Sequence, residues 1–149
     1  MKLYFMRMTL HQPGQRHAGP VQIVEVDLKK LMADSVSRKI KEESEYQKVC
    51  GTIPAEMKAG GDMALDSGGE WICFRVGKAE ASKHIAPGTV YELNCGPLNM
   101  DTEPSGISII NIKTREIRFV VALPFLVGHI QANPWVPCEI VFCRETAVR

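Results

Sequence analysis

A single stretch of this chain carries helical periodicity, while glycines and prolines cut the rest into short apolar runs. Leu28, Leu31, Met32, Val36 and Ile40 recur three to four residues apart, and Tyr46, Val49 and Cys50 extend the stripe. Asp27 is a good N-cap, and Gly51 suits the left-handed position just past a helix end. The pattern predicts one long helix over 28–50. Between Ile40 and Tyr46 the stripe lapses into Glu42, Glu43, Ser44 and Glu45, so the second half is expected to be more exposed.

Around that helix the chain reads as strands. Residues 3–10 and 21–26 are apolar and β-prone, and a polar, basic loop containing His11, Arg16 and His17 joins them. Residues 51–69 are rich in glycine and weakly patterned, the best candidate for a mobile loop. Further strands are expected at 71–76, 90–95, 107–112, 117–123 and 138–143. The turn Lys113-Thr114-Arg115-Glu116 makes 107–123 a hairpin. Residues 119–127 are almost wholly apolar, which predicts a central strand covered on both faces. The expected fold is α+β: a mostly antiparallel sheet of about six or seven strands with the 28–50 helix packed across it. A β-sandwich or partly closed barrel carrying that helix is the alternative.

A length of 149 residues fits one domain over 1–149, enough to bury roughly two-thirds of its surface without staples. Eighteen Lys+Arg against 17 Asp+Glu leave a net charge of +1, which argues against a strongly electrostatic nucleic-acid binder. No run approaches the ~20 apolar residues that span a bilayer, and the N-terminus lacks a signal-peptide core, so a cytoplasmic protein is expected.

The five cysteines, an odd number with no Cys-x-x-Cys, do not suggest a disulfide framework or a zinc site. The four histidines and the acidic residues show no ligand spacing, so no metal or cofactor is expected. A cysteine nucleophile would need a thiolate near an imidazole. The candidates are Cys95, at a strand end, and Cys50, with His84 or His129 as base. Cys50 would sit at a helix C-terminus, whose dipole disfavours a thiolate.

The most pointed feature is Gly128 to Pro137, which holds Trp135 and Val136 between Pro134 and Pro137. A Trp in a rigid loop packs as a lid under the sheet, the plainer reading, or inserts into a partner. With His129, His11, Arg16 and His17, Trp135 makes the candidate partner surface. The function expected from the sequence is a small non-enzymatic binding protein, an adaptor or inhibitor that occludes a partner protein. A cofactor-free Cys/His enzyme and a nucleotide-binding regulator are the alternatives.

Overall fold

The repeated alternation of apolar and polar residues resolves into nine strands in three antiparallel sheets, seen in a computed structural model that describes residues 1–9, 19–90 and 104–144, without the side chains of 61 and 62. The first sheet contains β1 (Lys2–Met8), β2 (Val21–Asp27) and β3 (Gln47–Ile53). The second contains β4 (Gly60–Leu65), β5 (Trp71–Val76), β6 (Ser105–Asn111) and β7 (Ile117–Leu123). The third is the hairpin of β8 (Val127–Ala132) and β9 (Ile140–Arg144). In each sheet the strands lie in chain order.

Among the described residues two α-helices accompany the strands, α1 (Leu28–Val36) and the single turn α2 (Lys78–Ala81), with three short 3-10 turns. The long helix over 28–50 is therefore not formed, and neither is a sheet, sandwich or barrel carrying it. Asp27 does cap α1, its Oδ1 accepting from the Lys30 amide at 3.0 Å. The helix ends after nine residues at Ser37, and Arg38 follows at φ 58°. Only the front of its stripe is covered: Leu28 and Leu31 are half-buried, while Met32, Val36 and Ile40 are exposed, Val36 by 87%. The chain then turns through Tyr46, whose hydroxyl donates to Asp34 and accepts from the Lys41 amide. Residues 47–53 leave the helical pattern and become the partner of β2. Pairing there overrides local helix propensity.

The second sheet is the middle layer. One face of it, from Met63, Leu65, Ile72, Phe74, Val76, Ile110, Ile117 and Phe119, packs on Tyr4, Met6, Val21, Ile23, Cys50 and Ile53 of the first sheet. The opposite face, from Ala64, Cys73, Ile107, Ile109 and Val121, packs on Val127, Ile130, Ile140 and Phe142 of the third. The central strands are thus β5 and β6, with Phe74, Ile72, Ile107 and Ile110 fully buried. The apolar run 119–127 is not central: it supplies the edge strand β7 and the crossing to β8.

Gly51 belongs to β3 rather than to a helix cap. A Cβ there would lie 2.6 Å from Ile110 Cδ1, so the missing side chain is what lets the first two sheets approach. The 51–69 segment holds the end of β3 and all of β4, so about half of the expected mobile loop is strand. The turn that follows is organised by buried Asp66, whose carboxylate accepts from the amides of Gly68, Glu70 and Trp71. Asn111 does the same work in the 107–123 hairpin, accepting from the Lys113 and Thr114 amides, with Arg115 at φ 68°.

Gly51→Ala should cost about 1–3 kcal/mol in urea unfolding, the range for overfilling a packed core. Adding Ile110→Val, which removes the Cδ1 methyl in the way, should recover part of that loss. Additive losses from the two substitutions would contradict the close approach.

Candidate functional site

The third sheet ends in a loop, 133–139, whose shape follows from its residue types. Two prolines restrict the backbone on either side of Trp135 and Val136. Asn133 closes the loop between them: its amide donates to the Glu139 carbonyl at 2.8 Å. Its side-chain Oδ1 accepts from the amides of Trp135 at 2.9 Å and Val136 at 3.3 Å. Such an Asx turn presets the backbone without help from the core. Trp135 then stands out of the protein, 85% exposed, with Val136 exposed beside it in sequence. The reading of Trp135 as a core lid is corrected: the core beneath is closed by Ile130, Ile140 and Phe142 instead.

The same hairpin carries an outward row. Ile140 and Phe142 point into the core, so Val141 and Cys143 alternate outward, and both are exposed. His129, at φ 46° where the β8–β9 register shifts, is exposed as well. Trp135 and His129 therefore share one hairpin. The other three partner-surface candidates, His11, Arg16 and His17, lie outside the described residues.

The cysteine and histidine candidates are not assembled into a pair among the described residues. Cys50 is buried in β3, its Sγ directed at the Lys48 carbonyl, and burial together with Glu25 raises its thiol pKa. His84 stacks flat on Phe119, ring centroids 3.6 Å apart, and its Nε2 lies 3.4 Å from Glu80 Oε1. It acts as a cover over the β7 edge of the core. Cys95 lies outside the described residues, as does the expected 90–95 strand beyond residue 90. Buried Cys73 is pushed up to about 11, chiefly by burial and then by Asp66 and Cys138. Cys138 lies in the hairpin loop at φ 64°, not on the last strand. Among the described residues no three His, Cys, Asp or Glu side chains gather as metal ligands.

A second feature was not legible as a motif. Lys58, Arg75 and Lys78 line a cleft of about 560 Å³ with Val76, Pro104 and Leu126. They come from a turn, a strand and a helix, so no spacing announces them.

No family model matches the chain, and no curated relative does. Among solved structures it is similar to an oligogalacturonate lyase from Vibrio parahaemolyticus, with 18% identity and a TM-score of 0.50. The likeness covers 84% of this chain and 28% of that one, so this chain spans little more than a quarter of its neighbour's length. At that identity the likeness concerns the fold. No helix among the described residues is long and apolar enough to cross a membrane.

With Cys95 replaced by Ser, thiol titration of the native protein at neutral pH should label Cys138 and Cys143 rapidly. Cys50 and Cys73 should label only on unfolding or as the pH rises, because their raised pKa values keep them as thiols. Fast labelling of Cys50 in the folded protein would contradict its burial.

Proposed function

We propose that this chain is a non-enzymatic protein-binding module that docks through the Trp135 loop. The observation that carries the reading is the combination of 85% exposure with a backbone fixed by Asn133. An exposed indole gains nothing from the protein's own core. With the loop backbone already fixed, docking orders less of the chain, and Trp is enriched among the residues that dominate binding energy at interfaces. Val136 and Val141 extend the apolar contact, and His129 and Gln131 give it a polar margin.

Of the catalytic candidates, two serve other roles. Cys50 is spent in the core and His84 on Phe119. The occluding role, as adaptor or inhibitor, is the form of binding that suits a projecting hairpin.

Affinity capture from the source cell with wild type, Trp135→Ala and Val120→Ala tests this reading. Val120 is also exposed but lies on β7, away from the loop in the chain. A partner retained by wild type and Val120→Ala should bind Trp135→Ala at least about 30-fold more weakly, the scale of a hot-spot truncation of about 2 kcal/mol. Equal affinity for all three proteins would remove the anchor.

A further inference from the structure

The cleft at the junction of the second and third sheets has the chemistry of a second site. We propose that it binds a small ligand through an oxyanion, a carboxylate or a phosphate, held by Lys58, Arg75 and Lys78. Its volume of about 560 Å³ falls in the ordinary range of small-molecule sites, and its walls at Val76, Pro104 and Leu126 are apolar. Three cationic residues line it, and no Asp or Glu does so among the described residues.

The cations are placed by the fold. Arg75 Nη1 donates to the Val127 carbonyl at 2.9 Å, while the amide of Val127 donates to Ser105 Oγ at 2.8 Å. Ser105 Oγ, almost fully buried, donates in turn to the Phe125 carbonyl. The start of β8 is thus clamped on both its polar groups, and the guanidinium is oriented by the clamp. A guanidinium has five N–H donors in a planar fork, a match for the two oxygens of a carboxylate or phosphate edge.

Lys58 is brought in by a different device. Its turn, at φ 48°, is tied to α2 by the Gly77 amide donating to the Met57 carbonyl at 2.9 Å. A Cβ on Gly77 would lie 2.8 Å from Lys58 Cβ, so glycine at this position lets the Lys58 stem lie against the start of α2, where Lys78 follows. Lys58 and Lys78 already take part in other interactions, so ligand entry exchanges partners at a positively charged wall.

This site and the Trp135 loop lie at opposite ends of β8, roughly 20 Å apart by the rise of an extended strand, so their tests are independent. Calorimetric titration at low salt with pyrophosphate and, separately, citrate reads the site directly. Wild type should bind at least one, more weakly as salt is added. Binding of pyrophosphate alone identifies a phosphate ligand, and binding of citrate alone a carboxylate. The double variant Lys58→Ser, Lys78→Ser, whose side chains are exposed and which should still unfold cooperatively without ligand, should bind about a hundredfold more weakly. That is roughly tenfold for each charge-assisted contact removed. Trp135→Ala should bind as wild type does. Failure of wild type to bind either probe, or equal binding by the double variant, would overturn the proposal.

Discussion

Burial of both faces of the four-stranded sheet is the interaction on which the rest of this structure depends. Ile72, Phe74, Val76 and Ile110 on one side and Ile107 on the other are completely removed from water. Each such side chain contributes on the order of 1.5–3 kcal/mol relative to exposure. In the first sheet β2 is likewise covered on both faces, with Val21 and Ile23 toward the middle layer and Val24 and Val26 on the opposite side. A two-stranded hairpin such as β8–β9 is at best marginal alone in water. It persists here because Val127, Ile130, Ile140 and Phe142 rest on the middle layer and because Ser105 and Arg75 hold its first residue.

That dependence runs through to the proposed functions. The Trp135 loop gets its direction from β8 and β9, and its internal shape from Asn133. A hairpin whose inner row is committed to the core must present its outer row and its tip to solvent. The cationic cleft arises at the same seam, where β8 begins and α2 folds over the end of β5. One layer boundary therefore generates both candidate surfaces. They differ in chemistry, since one offers an aromatic side chain and the other fixed positive charge.

Local signals in the sequence are legible where local chemistry decides the outcome. The 107–123 hairpin follows from alternation on both sides of a turn, and the Asn111 side chain closes that turn much as a backbone group would. The Asp27 cap and the pairing of β1 with β2 are of the same kind. The helix over 28–50 failed because periodicity in 28–40 says nothing about whether a surface awaits the stripe. Val49 and Cys50 also satisfy a helical spacing while serving better in the third strand of a sheet. Gly51 fits a helix end by sequence alone, and only the position of Ile110 shows that it serves a close approach between layers.

The sites divide in the same way. Trp135 between two prolines is conspicuous in the sequence, although its exposure depends on which neighbours close the core. Lys58, Arg75 and Lys78 are ordinary surface residues until three elements bring them to one cleft. Native-state hydrogen exchange tests the central claim most directly, because it reads the stability of each layer separately. Amides of β5 and β6 should exchange only through global unfolding, those of β2 with them, and those of β8 and β9 at or below that level. Exchange of β5 and β6 through a lower-energy opening while β8 and β9 stay protected would show that the middle sheet does not hold the others.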